Sequence, residues 1–202
     1  MQPEFKNLTY PESSLSVAAV FPSVKTHGPG NRFSLWLQGC LQRCDGCINQ
    51  HMQGLEGGNL MNQQELLEQI RSARDGIWRV RGITLHGGEP MLQASALAPV
   101  LEQLHDESPE FNVLLFTGYE LAFLREQNSA AINRLLACVD TAIDGQFIAA
   151  QQDNELIRGS TNQQIIHLTD TLRNADFSRK GVETILRLGA NLTVAESGVP
   201  IN

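Results

Sequence analysis

The chain has 202 residues, 42% of them hydrophobic, with 15 basic and 22 acidic side chains and a formal net charge of −7. That length and apolar content suit one folded domain with its own core and exclude a wholly disordered protein. The acidity makes the chain a poor ligand for phosphate backbones, so no nucleic-acid partner is expected. No apolar run reaches the roughly 18 residues of a membrane span, so no membrane partner is expected either.

Met1 to Tyr10 lacks the basic-then-apolar order of a secretory leader, so a cytoplasmic setting is expected. Ser16 to Phe21 and Phe33 to Leu37 are short apolar runs that predict strands, the second leading into three clustered cysteines. Gln50 to Asn59 reads as a polar loop. Asn62 to Arg74 reads as a helix, with Leu66, Leu67 and Ile70 on one face and a capping-box-like Asn62 with Glu65 at its start. A strand is predicted over Gly82 to Leu85, a helix over Ala94 to His105, and a buried strand over Asn112 to Phe116. Ala130 to Ala137 is helical, Val139 to Ile143 is a strand, and Gln164 to Leu168 is one more candidate. Thr171 to Lys180 is polar and loop-like. Val182 to Val194 alternates around Gly189-Ala190-Asn191 and predicts a terminal hairpin.

Strands alternating with helices imply βα units and a parallel sheet. The unusual residues cluster after the strands: Cys40 to Cys47, Gly87 to Pro90, Thr117 to Tyr119, and Asp144. Such architectures place their chemistry at those ends.

Of four cysteines, Cys40, Cys44 and Cys47 share one short loop, and Cys138 stands far away. Without a secretory leader, a clustered trio reads as a metal site rather than a disulfide framework. Three thiolates on one loop suit three irons of a cubic iron–sulfur cluster, leaving the fourth iron open. A zinc site would need a fourth donor, such as Cys138 or His51. Cys138, before an apolar strand, reads as a small buried hydrophobe. Lys25 and Arg32 are candidates to balance an anionic cluster. Trp36 reads as core, and His86 as a packing residue beside the site.

The stretch from Gly28 through Arg32, then Cys40-Leu41-Gln42-Arg43-Cys44-Asp45-Gly46-Cys47-Ile48-Asn49, resembles the cluster loop of the radical S-adenosylmethionine enzymes that activate glycyl radical enzymes. The resemblance continues in His86-Gly87-Gly88-Glu89-Pro90, Thr117-Gly118-Tyr119, Asp144-Gly145-Gln146-Phe147 and Arg158-Gly159-Ser160-Thr161-Asn162-Gln163. Within that family the chain is similar to the activating proteins of anaerobic ribonucleotide reductase. The resemblance implies a [4Fe–4S] cluster on Cys40, Cys44 and Cys47, with the unique iron chelated by S-adenosylmethionine. One-electron reduction would cleave the sulfonium, and the 5′-deoxyadenosyl radical would take a hydrogen atom from a glycine of a partner enzyme. A flavodoxin- or ferredoxin-like donor is implied.

For the cofactor, the resemblance implies contacts from Gly46, Ile48, Gly87, Gly88, Glu89 and Pro90, with Glu89 set beside the ammonium and sulfonium. Asp144 is a further candidate, its alternative role being a helix cap. Arg158, Ser160, Asn162 and Gln163 either order the edge of the site or grip a partner's backbone. The expected fold is an α/β, incomplete (β/α) barrel of about five or six parallel strands. Residues 28–168 would form the core, 1–27 an extension with an added strand, and 169–202 a C-terminal extension with the hairpin. Ile48, Gln146 and Ile157 stand where the family often has an aromatic residue, a lysine and a tryptophan. They leave open a related radical enzyme with another protein or small-molecule substrate. A non-catalytic iron–sulfur or zinc module is the alternative of another class.

Overall fold

A computed structural model describes residues 13–178, 181, 183–187 and 193–197. Its centre is a seven-stranded sheet in the order β3-β1-β2-β4-β5-β6-β7. The strands are β1 (Ser14–Val24), β2 (Arg32–Leu37), β3 (Asn59–Asn62), β4 (Gly82–Gly87), β5 (Asn112–Thr117), β6 (Thr141–Asp144) and β7 (Gln164–His167). Only β2, β4, β5 and β6 run parallel; β1, β3 and β7 pair antiparallel at the two sides. The mixed α/β class is as expected, but the parallel strands number four rather than five or six. The reason is local: β1 turns back through Gly28 and Gly30 into β2, and β7 returns after β6 with only a single 3-10 turn, Ala149–Gln151, and no α-helix between them, so neither crosses over in parallel.

Four helices join the strands: α1 (Gln63–Asp75), α2 (Ala94–Glu107), α3 (Leu121–Glu126) and α4 (Ala130–Ala137). The side chain of Asn62 accepts the Glu65 N–H at 2.8 Å and starts α1. Leu66, Leu67 and Ile70 then share one buried face. That stripe, with Leu97, Leu101 and Leu104 of α2, covers Leu35, Ile83, Leu85 and Leu115 of the sheet. Strand alternation sends Ser34, Trp36, Thr84 and His86 to the opposite face. There a smaller apolar group forms from Leu114, Ile143, Leu172 and Phe177. The stretch read as a polar loop from Thr171 therefore carries two buried anchors. The Gln50 to Asn59 loop also holds more structure than expected, since β3 begins at its end and pairs with Ser14–Val17.

Two antiparallel strands, β8 (Glu183–Arg187) and β9 (Thr193–Ser197), form a separate two-stranded sheet. The turn expected at Gly189-Ala190-Asn191 lies outside the described residues.

Arg32 is fully buried at the N-terminal end of β2, where Gly82 and Asn112 begin the neighbouring strands. Nε donates to Thr84 Oγ1 at 2.7 Å, Nη1 to Asn112 Oδ1 at 2.6 Å and Nη2 to the Ile83 carbonyl at 2.7 Å. It sits at the end of β2 opposite the cysteine loop, about 17 Å of strand away, so it laces three strand starts together and does not balance a cluster. Burial pulls its pKa down to about 9, so the charge persists at neutral pH. Replacing Arg32 by Lys should remove the fork and strand buried acceptors, costing about 3 kcal/mol in urea denaturation.

Candidate active site

The carboxyl ends of β2, β4, β5 and β6 open on one cavity of ≈ 340 Å³. Cys40, Cys44 and Cys47 line it, each partly exposed. Gly46, Ile48, Gly87, Gly88 and Glu89 join them, as do Arg158 and Gln163. Pro90, Asp144, Ser160 and Asn162 do not line it.

The cysteine loop is clamped onto the end of β4 by backbone contacts and by Asn49 Nδ2, which donates to the Gly87 carbonyl at 3.3 Å. Gly88 N–H donates to the Leu37 carbonyl and Glu89 N–H to the Gly39 carbonyl, both at 2.8 Å. A Cβ on Gly87, whose φ is +108°, would lie 2.5 Å from Leu37 N, and one on Gly88 would lie 2.3 Å from Gly39 O. The glycine pair is thus required by contact between two protein backbones. The same loop is held from the other side by Gly39 N–H to the Met52 carbonyl (2.8 Å) and by Gln93 Nε2 to the Gln38 carbonyl (3.0 Å).

Glu89 is 0% exposed. Its Oε1 accepts from Met91 N–H (3.0 Å) and the Thr117 hydroxyl (2.8 Å), and its Oε2 from Gly118 N–H (2.8 Å). The side chain therefore ties the end of β4 to the end of β5. Burial pushes its pKa up, to about 7, against the three donors that oppose the shift. A cation bound beside it would favour the ionised form.

Rings form the cavity floor. Trp36 and His86 are register partners on β2 and β4 with ring centroids 3.8 Å apart, and Phe116 lies 5.8 Å from His86. Ser34 Oγ bridges His27 Nδ1 (2.8 Å) and His86 Nε2 (2.6 Å). Burial holds both imidazoles neutral, His27 down at about 4 and His86 well below its usual value. His86 is a packing residue, as read from the sequence.

The thiols sit among N–H donors suited to thiolate sulfur. Gln42 N–H points to Cys40 Sγ and Asn49 N–H to Cys47 Sγ, both at 3.4 Å. Gln146 and the Phe147 amide hydrogen-bond Cys44. Burial and then the neighbouring Glu89 push the Cys40 thiol up to about 12, and burial raises Cys44. Iron must displace those protons, so loading is favoured as pH rises.

Among the described residues no three His, Cys, Asp or Glu side chains converge as one ion requires. Cys138 caps the end of α4 and His51 is exposed; neither lines the cavity. The donor set does not fit a four-ligand zinc shell. It fits a cluster, where each thiolate holds a different iron and the three sulfurs stand apart.

The segment after β6 forms the far wall. Gln163 Nε2 donates to the Gly145 carbonyl (2.7 Å), Asn162 Nδ2 to the Gln146 carbonyl (2.9 Å), and Ile148 N–H to Ser160 Oγ (3.1 Å). Arg158 pairs with Asp153 (2.5 Å) and donates to the Gln163 carbonyl (2.8 Å). These four residues hold the 145–148 turn against the cysteine loop, and that turn carries Gln146 onto Cys44. The carboxylate of Asp144 accepts the Leu121 N–H at 2.8 Å, so it serves the first turn of α3 rather than the cavity.

Sequence reasoning missed Gln42, Phe116 and Phe147 as cavity residues. Phe116 follows from strand alternation, two positions after Leu114. Gln42 carries no such signal, because a glutamine between two cysteines looks like any loop residue.

Replacing Glu89 by Gln sets an amide N–H₂ against a backbone N–H, of Met91 or of Gly118, whichever way it is turned and should destabilise by about 2–3 kcal/mol. The folded pKa of Glu89 lies above its unfolded value, so its protonated form stabilises most below about pH 4.5. That contribution is lost as pH climbs toward 7. The gap between wild type and Glu89→Gln in thermal midpoint should therefore narrow from pH 5 to pH 8, which a series of melts checks.

Residues 26–166 match the family model described as a 4Fe-4S single cluster domain. The anaerobic ribonucleoside-triphosphate reductase-activating protein of Vibrio cholerae is 36% identical over 152 residues, covering 74% of this chain and 96% of its own. The protein of the same description from Haemophilus influenzae is 35% identical over 150 residues, covering 73% and 94%. Among solved structures, QueE from Escherichia coli aligns over 65% of this chain and 70% of its own, with TM-score 0.43 and 15% identity. Fit of the thiol loop, the family model and the identity to the reductase-activating proteins agree, and the chain belongs to that 4Fe-4S single-cluster family of activating proteins.

Proposed function

We propose that the chain is a radical S-adenosylmethionine enzyme that activates a glycyl radical enzyme, an anaerobic ribonucleoside-triphosphate reductase. The observation that carries this reading is the one cavity on which Cys40, Cys44 and Cys47 all open. When bound, the [4Fe–4S] cluster would supply the electron that splits S-adenosylmethionine into methionine and a 5′-deoxyadenosyl radical, which takes a hydrogen atom from a partner glycine.

The chain's own residues bind, orient and exclude. Gly87 and Gly88 set the cysteine loop on the end of β4, and Glu89 offers a buried carboxylate next to where a cationic ligand group would lie. Gly46 and Ile48 flank the last thiolate, and the 66% exposure of Ile48 suits it to meet a cofactor ring or an entering loop. Trp36, His86 and Phe116 keep water from the floor. Arg158 and Gln163 shape the mouth where a partner's loop would enter. We read the open sheet as an incomplete (β/α) barrel, with 28–168 as core and 1–27 and 169–202 as additions. A flavodoxin- or ferredoxin-like donor in the cytoplasm fits the chemistry.

The test is anaerobic: load iron and sulfide, reduce, add S-adenosylmethionine, and measure 5′-deoxyadenosine. Wild type should form it and Cys44→Ser should fall to background. With the reductase present, a glycyl radical signal should appear on the partner by electron paramagnetic resonance. A loaded and reduced wild type that forms no 5′-deoxyadenosine, with or without the partner, would contradict the proposal.

A further inference from the structure

Gln42 is 6% exposed, and both its Oε1 and its Nε2 are buried without a hydrogen-bond partner. Burying a carboxamide without partners is costly, and such groups in folded proteins call for an explanation. Its backbone is fixed: the N–H points to Cys40 Sγ at 3.4 Å and the carbonyl accepts from Gln146 Nε2 at 3.2 Å. Its side chain lies on Gly118, where a Cβ would come 2.6 Å from its Cγ. That glycine makes room for the carboxamide at the cavity wall, between two cluster ligands and beside the Glu89–Gly118 hydrogen bond.

The geometry points to Gln42 as a binding residue for the α-amino-carboxylate of S-adenosylmethionine, its Nε2 donating to the carboxylate and its Oε1 accepting from the ammonium. This rests on the function proposed above. A carboxamide whose N–H₂ and carbonyl oxygen are both unmet matches a group that presents an acceptor and a donor side by side. Its seat between Cys40 and Cys44 puts it among the thiols that would hold the cluster, to which the amino-acid end of the cofactor would bind. The buried Glu89 carboxylate next door favours the ammonium at the same spot. The carboxamide is thus a binding group held ready at a cost in stability.

The test uses cluster-loaded protein and the isosteric Gln42→Met variant, with cluster content checked by its absorption. Binding is measured for S-adenosylmethionine and for 5′-methylthioadenosine, which lacks the amino-acid end. The variant should bind S-adenosylmethionine about tenfold or more weakly, bind 5′-methylthioadenosine unchanged, and melt no lower than wild type without ligand. If Gln42→Met fails to hold its cluster, Gln42→Glu, similar in size but lacking the N–H donor, should show the same split between the two ligands. Equal affinity of wild type and variant for S-adenosylmethionine overturns the assignment, including where activation of the partner alone is lost, since the amide then faces the partner's backbone. Equal weakening for both ligands also overturns it. A cluster-loaded wild type that binds no S-adenosylmethionine overturns the parent function together with this assignment.

Discussion

Two backbones touch where β4 ends. A Cβ on Gly88 would lie 2.3 Å from the carbonyl oxygen of Gly39, so only glycine lets the strand end and the cysteine loop lie against each other. The paired N–H donations from Gly88 and Glu89 then lock the loop at 2.8 Å each. With its root fixed to a strand, and with Asn49 and Gln93 bonding the carbonyls of Gly87 and Gln38, the loop presents three thiols in one cavity. The family resemblance attached Gly87 and Gly88 to the cofactor; their immediate physical cause is the loop that carries the three thiols.

Around that contact the site is built from buried polar groups whose partners are almost all protein. Glu89 joins the ends of β4 and β5, Gln93 joins β1 to the root of the cysteine loop, and the Arg158–Gln163 segment props the turn that leans Gln146 on Cys44. Such networks are stabilising when complete and costly when broken. They specify one arrangement of four strand ends, which a radical reaction needs if its intermediate is to meet a single hydrogen atom. Gln42 breaks the pattern, and its unmet amide marks where the protein's own network gives way to a ligand.

Much of this was legible in the residues. The cysteine spacing, the Gly87-Gly88-Glu89 turn and the placement of special residues after strands all point to the cavity. Alternation in β2 and β4 sets Leu35 and Leu85, facing the helices, apart from His86; Trp36, read as core, instead lines the cavity beside His86. Long-range facts were not legible. Arg32 reads locally as a free cation near the cysteines, yet five strand positions carry it to the opposite end of the sheet, among carbonyls of neighbours 51 and 80 residues away. Asp144 ends its strand as a site residue would, but the adjoining N-terminus of α3 claims its carboxylate. β3 was invisible because Asn59–Asn62 has no apolar alternation of its own and is a strand only through pairing with β1.

If Cys40, Cys44 and Cys47 hold a four-iron cluster, its fourth iron is left for S-adenosylmethionine. Mössbauer spectra of the ⁵⁷Fe-loaded protein, with and without S-adenosylmethionine, test it directly. The account predicts a four-iron cluster in which one iron in four changes its isomer shift when the cofactor binds. Four irons that respond alike, or a spectrum that does not change when bound S-adenosylmethionine is measured in the same sample, would contradict it.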